Sequence, residues 1–291
     1  MSSQFGFLTL AIKKDYKKAI ALSLRIRQLM PGIPIAVVCP SFLHDNLSPF
    51  FDTVITEYPN LRGFEHKLYL DKYSPFEKTF FLDADILMIR EIGDYIADWT
   101  GSAYAVRGHL VTSGISSFGL DRELALTIID KTEFAHIGGA GHAYFEKPAC
   151  ERVFNEAREI AANYTVFKAE RLADEDVMGI AMSKLDIRPK DNKSFLGSPW
   201  AAVNNSFKID VNNNFCSYED AIFGKVSPAI IHFPSMGKPL TYAREMRKIF
   251  RKNGLSFYSV YYDALIEYMT FKKWIFIVLY RCVFFVFIIS L

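Results

Sequence analysis

The chain has 291 residues, 51% of them hydrophobic and 23% charged, with a formal net charge of +2. This balance supplies a sizeable core and excludes general disorder. A charge so near neutrality gives no case for nucleic-acid binding by the chain as a whole, and the length suits one large α/β domain or two smaller ones.

The opening Met1-Ser2-Ser3-Gln4-Phe5 has no basic region and no long apolar run, so no cleaved secretion signal is expected. Residues 5–11 (FGFLTLA) predict a first strand. Asp15 is placed to cap a helix over 16–30, whose Ala19, Leu22, Ile26 and Leu29 recur on one face. Pro31-Gly32 ends that helix, and residues 34–39 (PIAVVC) predict a second strand buried on both faces. Strand, helix, strand in this order predicts a parallel crossover. A short strand over 54–56 follows, then a helix over 64–73 that carries Lys67 and stops at Ser74-Pro75.

Residues 79–87 (TFFLDADIL) form an apolar run bearing two carboxylates one residue apart. A buried strand tolerates such charge only when it is paired or bound to a metal, so the aspartates are expected where the strand leaves the core at its C-terminal end. Open α/β sheets place their ligands there. In extended backbone, alternate side chains share a face, so Asp83 and Asp85 can address one target. Two hard oxygen donors suit Mg²⁺ or Mn²⁺, and such an ion suits a diphosphate. The same residues also read as a strand end followed by a turn, with solvated aspartates.

Strands are then predicted over 103–106 and 143–145, flanking a glycine-rich piece, His136-Ile137-Gly138-Gly139-Ala140-Gly141-His142. Its glycines suit either close backbone approach to a ligand or a bulged edge strand. It does not match GxGxxG opening a helix, which excludes a dinucleotide fingerprint. A helix is predicted over 148–164, and Asp174-Glu175-Asp176 cap another over 177–184, with their charge in the first turn where the dipole favours it. Residues 191–217, rich in Asn, Ser and Lys, predict an irregular loop. Residues 228–233 (PAIIHF) are a last strand ending on His232, with Gly237 and Lys238 close behind. That spacing suits a metal ligand beside a phosphate clamp, although a lone strand-end histidine is also an ordinary core-edge residue. Cys39, Cys150, Cys216 and Cys282 are scattered without CxxC spacing and read as reduced thiols in a cytosolic setting.

Taken in order, these stretches resemble the family 8 glycosyltransferases of GT-A fold, the glycogenin and lipopolysaccharide galactosyltransferase type. The matching pieces are Leu8-Thr9-Leu10-Ala11 with Tyr16, Ala19 with Leu22-Ser23-Leu24-Arg25, Lys67-Leu68, Phe81-Leu82-Asp83-Ala84-Asp85, the glycine-rich strand to Phe145, Asp174-Glu175-Asp176, and His232 to Pro239. The resemblance implies an α/β, Rossmann-like fold with a mixed central sheet and helices on both faces. It implies Asp83, Asp85 and His232 as ligands of Mn²⁺ or Mg²⁺. Leu10, Ala11 and Tyr16 would hold the uridine, Gly237 and Lys238 the diphosphate, and Lys67, Ala84 and Gly139 the donor sugar and its phosphate. Asp174 and Glu175 would flank the reacting carbon, and the reaction would be retaining transfer of a hexose from a UDP-sugar to a saccharide or glycolipid. The chain departs from the family pattern at Gly139, where Asn is frequent, at Glu175, where Gln is usual, at Lys13, where Asn is usual, and at Leu240, where Trp often stands.

The end of the chain, residues 274–291 (WIFIVLYRCVFFVFIISL), is apolar but for Arg281 and is close to the roughly 20 residues that span a bilayer. Basic residues Arg244, Arg247, Lys248, Arg251, Lys252, Lys272 and Lys273 precede it, interleaved with tyrosines. Together they predict a GT-A domain over 1–250 and a basic, aromatic segment over 251–291 that attaches to the cytoplasmic side of a membrane or buries in the core or a homodimer. Two other readings of the whole are a non-catalytic, membrane-attached nucleotide-sugar-binding protein and a haloacid-dehalogenase-type phosphatase. The phosphatase type places its Asp-x-Asp near the N-terminus, whereas two predicted strands precede it here.

Overall fold

A computed structural model describes residues 4–12, 15–139, 141–192, 194–234 and 238–289, with side chains described to residue 272. In chain order the first elements are β1 (Phe5–Leu10), α1 (Tyr16–Leu29), β2 (Ile35–Cys39), α2 (His44–Leu47) and β3 (Thr53–Thr56). A 3-10 segment, Gly63–Tyr69, runs into α3 (Leu70–Tyr73), followed by β4 (Lys78–Leu82), β5 (Ile86–Met88), α4 (Gly93–Trp99), β6 (Tyr104–Ala105) and β7 (Gly108–Val111). The middle of the chain forms α5 (Arg122–Ile129), β8 (Phe134–Ile137), β9 (His142–Glu146), α6 (Glu151–Ala162) and α7 (Asp174–Lys184). The remainder forms β10 (Leu196–Gly197), β11 (Lys208–Asp210), β12 (Phe215–Asp220), β13 (Gly224–Val226), β14 (Ile230–His232), α8 (Pro239–Lys252) and α9 (Ser256–Ile289).

The central sheet has the order β3-β2-β1-β4-β9-β6. Its first four strands are mutually parallel, and β9 runs antiparallel to both β4 and β6. Because side chains alternate along a strand, this sheet feeds two apolar layers. Phe7, Val37, Phe80 and Tyr144 face one layer with Ala19, Leu22 and Ile26 of α1 and Met246 of α8. Leu8, Ala36, Phe81 and Phe145 face the other with Val153 and Phe154 of α6 and Val177 of α7. Burial on both faces explains why these strands are apolar throughout instead of alternating.

Several expectations are corrected. β4 ends at Leu82, so Asp83 and Asp85 do stand where that strand leaves the core, but they lie on a turn and not in extended backbone, and the residues after them form β5 in a separate sheet of order β10-β14-β5. The predicted helix over 64–73 is mostly 3-10, and the predicted loop over 191–217 contains β10, β11 and the start of β12. Asp15 occupies the position before α1 but makes no capping hydrogen bond, because its carboxylate pairs with Lys18 at 2.8 Å. Likewise the residue capping α7 is Ala173, and none of Asp174, Glu175 and Asp176 caps; they occupy the first turn itself.

At the C-terminal end, Tyr258 and Tyr262 of α9 stack on Phe250 of α8 with ring centroids 5.0 and 5.6 Å apart. Among the described residues no helix is long and apolar enough to cross a membrane. The apolar stretch 274–291 and Cys282 lie outside the described side chains. Cys39, Cys150 and Cys216 are buried free thiols.

Candidate active site

Two sheets meet at the acidic turn. Where β4 ends, the Asp83 N–H donates to Gly141 O at 2.7 Å, and the chain closes a tight turn through Ile86 N–H to Asp83 O at 3.0 Å. The turn replaces extended geometry but still presents both carboxylates. On the far side, β14 runs antiparallel to β5 with His232 opposite Ile86, and Phe233 N–H donates to Asp85 O at 3.1 Å. A residue almost 150 positions away is thus fixed beside the turn by ladder register. His232 Nε2 lies 3.1 Å from Asp85 Oδ1 and 3.8 Å from Asp83 Oδ2.

One donor atom from each of Asp83, Asp85 and His232 falls within 4.8 Å of the others, a spacing that one cation can bridge. Two hard carboxylate oxygens and one imidazole nitrogen fit a small divalent ion such as Mn²⁺ or Mg²⁺. The triad has outer supports: Lys67 Nζ sits 2.7 Å from Asp83, and Lys18 Nζ 3.9 Å from Asp85. Such neighbours orient ligands before an ion arrives. Burial raises the Asp83 carboxyl, against the lowering effect of Lys67 and His232. Burial also opposes charge on Asp85, but the hydrogen bond and charge of His232 outweigh it and hold that carboxyl below its ordinary range. The glycine-rich piece has a specific steric cause here: a Cβ on Gly141 would stand 2.8 Å from His232 Nδ1, so the ring fits only over glycine.

Lys67 links the triad to α7. Its Nζ also lies 3.0 Å from Asp174, giving a lysine shared by two carboxylates in a mostly buried site. Burial would lower this ammonium, yet Asp174 and Asp83 hold it above its ordinary range, so it stays charged. The next residue, Glu175, is pushed up to about 7 by burial and then by the charges of Asp174 and Asp176. Asp176 accepts from the Ser116 hydroxyl at 2.7 Å and faces away into the loop before α5.

A cavity of about 480 Å³ opens on this surface, with Leu10, Ile12, Phe64, Lys67, Asp83 and Ala84 on its walls. A smaller recess shares Lys67 and reaches Asp174, Glu175 and His142. Of the residues singled out in the sequence, Leu10, Lys67, Asp83, Ala84, Asp85, Asp174, Glu175 and His232 are therefore gathered together. Ala11 is fully buried, and its N–H donates to Val38 O at 2.8 Å. Tyr16 begins α1 with the Lys17 ammonium 4.6 Å from its ring centroid. Gly139 has φ +89°, and a Cβ there would meet Leu196 at 3.3 Å. Lys238 has its ammonium 5.2 Å over the Phe207 ring. Gly237 and Lys13 lie outside the described residues.

Three contributors went unread in the sequence. Ile12 and Phe64 line the cleft without any motif to mark them. His142 is fully buried, with its Nε2 accepting from Arg107 N–H at 2.9 Å. Burial, and then Arg107, push its imidazole down to about 3, so it is neutral. Arg25 did carry a readable signal, a charge on the apolar face of α1. It is 1% exposed and donates to Met88 O at 3.0 Å and Ile89 O at 3.2 Å, bracing the end of β5.

No protein-family sequence model and no curated protein sequence matches the chain. Solved structures do. The bifunctional glycosyltransferase WbbM is similar over 86% of this chain, with a TM-score of 0.54 and 12% identity, and this chain spans 50% of it. The galactosyltransferase LgtC, solved with donor and acceptor sugar analogs, is similar over 81% of this chain and 89% of its own, with a TM-score of 0.51 and 13% identity. The glycosyltransferase GlyE of Streptococcus pneumoniae TIGR4 is similar over 82% of this chain and 56% of its own, with a TM-score of 0.53 and 11% identity. At such identities the likeness speaks for architecture, and the architecture is that of the GT-A glycosyltransferases.

Proposed function

We propose that the protein is a metal-dependent, retaining glycosyltransferase that moves a hexose from a UDP-sugar to a saccharide or glycolipid acceptor. The observation that carries this reading is the meeting of Asp83, Asp85 and His232 at the mouth of a cleft, with Lys67, Asp174 and Glu175 one layer further in. Cleaving a sugar–diphosphate bond builds negative charge on the leaving group, and charge is best stabilised by groups fixed before it develops. A bound divalent ion supplies Lewis-acid stabilisation of that charge. Lys67 adds a permanent positive charge, held in place by Asp83 and Asp174. The uridine takes the wall formed by Leu10, Ile12 and Phe64.

The sugar sits against Asp174 and Glu175, whose carboxylates face the positive charge that develops at the anomeric carbon. Glu175, titrating near neutrality, holds or releases a proton at its carboxyl beside that carbon. The deciding experiment measures UDP release from UDP-glucose, UDP-galactose and their N-acetyl forms with Mn²⁺, on the full chain. Metal-dependent release from one of them supports the reading. UDP binding without release from any donor points instead to a non-catalytic sugar-nucleotide binder, and absence of UDP binding overturns both.

We place the protein at the cytoplasmic side of a membrane through its C-terminal segment. Phe257, Val260, Tyr261, Tyr268 and Phe271 are exposed at helical spacing along α9, and the apolar residues 274–291 follow. Interfacial aromatic residues with flanking lysines suit an anionic leaflet. Deleting residues 271–291 is expected to move the protein from the membrane pellet to the soluble fraction, and an unchanged distribution would defeat this placement.

A further inference from the structure

The β7–β8 ribbon adjoins the sugar recess through Val106 and Ile137, as a wall of different electrical character. β7 and β8 pair antiparallel with His109 directly opposite His136, their rings 4.9 Å apart and nearly perpendicular. Arg122, at the start of α5, donates from Nη2 to His136 Nδ1 at 3.2 Å. An arginine can only donate, so this bond fixes the neutral His136 tautomer with its proton on Nε2. Arg107, one residue before β7, donates from Nη1 to Gly138 O at 3.2 Å. Two guanidinium groups and two imidazoles thus share one small surface.

What the wall lacks is a counter-charge in contact. Arg27, Arg158, Arg188, Arg247 and Arg251 each form an ion pair with a carboxylate. Among the described residues neither Arg107 nor Arg122 does, and each spends its donors on a carbonyl or a ring nitrogen. The Nε of Arg122 is buried with no hydrogen-bond partner. Burial, then the charges of Arg122, His109 and Arg107, push His136 down to about 4, so it stays neutral beside the two arginines. Glu175 and Asp176 feel the charge of Arg122 without touching it. Two arginines with no carboxylate in contact, one of them with a desolvated donor left over, make an arrangement that an incoming anion stabilises. A neutral sugar hydroxyl would stabilise it little.

The wall's position says which substrate meets it. The nucleotide end of the cleft holds Leu10 and Lys67, and the sugar recess holds Lys67 and Glu175 together with Val106 and Ile137, the chain neighbours of Arg107 and His136. Resting on the transferase reading above, we infer that the acceptor carries an anionic group, a phosphate or a carboxylate, and that Arg122 and Arg107, with the Nε2–H of His136, bind it beside the donor sugar. The charge would select among saccharides of the same size by leaving two arginines uncompensated when the acceptor is neutral.

The test uses the full chain with UDP and Mn²⁺ present, titrated calorimetrically with glucose 6-phosphate, glucuronate and glucose. At low salt one of the two anionic probes is expected to bind at least about tenfold more tightly than glucose, the effect of one or two charge-assisted hydrogen bonds. Whichever anion binds more tightly identifies the group. Raising the salt is expected to erode the preference. Arg122→Gln is expected to bring the anionic probe to within about twofold of glucose, and Arg122→Lys to restore part of the difference. Equal affinity of all three probes for the wild type would overturn the inference, and this measurement stands even should a variant fail to fold. An Arg122→Gln protein that folds and keeps the preference would overturn it as well. A preference for UDP-glucuronate over UDP-glucose with a neutral acceptor would move the anion onto the donor and also overturn it. Absence of UDP binding defeats the transferase reading and this inference together, whereas UDP binding without anion preference defeats this inference alone.

Discussion

The two walls of the cleft treat charge in opposite ways. On the donor wall Asp83, Asp85 and Asp174 each have a cation at hand: Lys67 bridges Asp83 and Asp174, Lys18 and His232 flank Asp85, and Lys18 also pairs with Asp15. On the β7–β8 wall, Arg107 and Arg122 touch no carboxylate among the described residues. A satisfied network is rigid before any ligand arrives, which suits a site that must hold a cation in fixed geometry. An unsatisfied one waits for its partner, which suits selection among ligands. The difference implies that damage to the first wall should abolish chemistry, while damage to the second should change preference.

The largest effect is expected from Asp85→Ala. It removes one of the three proposed metal ligands and leaves His232 without its 3.1 Å partner. UDP release with Mn²⁺ should fall by about a thousandfold or more, consistent with loss of electrostatic stabilisation of several kcal/mol. Circular dichroism should keep its native form. Activity within about tenfold of wild type would remove the triad from the mechanism.

Next comes Arg25→Met, which tests whether the donor wall is braced from behind. Two carbonyls at the end of β5, Met88 O and Ile89 O, would lose their donor inside the core. Orphaned buried acceptors cost about 1–3 kcal/mol each, partly recovered by the apolar side chain. A net loss of about 3 kcal/mol in a urea unfolding midpoint is expected, together with weaker Mn²⁺ binding, since β5 carries the turn that holds Asp85. A neutral result would mean that the ladder to β14 holds β5 alone.

Gly141→Ala probes the same wall more gently. The added methyl would stand 2.8 Å from the His232 ring and would have to displace it. Both carboxylates remain, so metal affinity should drop about 10- to 100-fold without being abolished. Measuring Mn²⁺ affinity in Gly141→Ala and His232→Ala and in the double variant separates the causes: the double variant should be no worse than His232→Ala.

These contrasts also explain what could be read from the sequence. Asp83, Asp85 and His232 were legible because each interrupts or ends an apolar run, and charge in such a place needs a reason. The parallel core was legible for the same cause, since β1, β2 and β4 are apolar throughout. What escaped depends on contacts between distant segments. Nothing local in Gly141 says that a histidine ring will lie on it. Nothing in His109 or His136 says that they face each other across a ladder. The second strand after Asp85 escaped because β5 is only three residues long and is defined by its pairing with β14 in another sheet. Residues 191–217 looked irregular because their short strands are polar and edge-like, stabilised by pairing and not by pattern.

The smallest effect expected is on stability, from Glu175→Gln, and its sign follows from linkage. Burial, with Asp174 and Asp176 nearby, raises the Glu175 carboxyl to about 7 in the folded protein, from an ordinary value of 4.5. Between those two values the folded state therefore holds a proton that the unfolded state has released, so stability falls as pH rises from about 4.5 to about 7 and is flat above. Glutamine cannot ionise, so the variant should lack this decline. The two proteins should be alike near pH 4.5, and the variant should be more stable by about 1–3 kcal/mol at pH 8. Thermal unfolding at the two pH values measures the difference directly. A variant less stable than wild type at pH 8 would show that the ionised carboxylate is held by a partner, and the two cations that act on it are Lys67 and Arg122. Were that partner Arg122, the contrast between the walls would weaken, because Arg122 would then have its counter-charge within the protein.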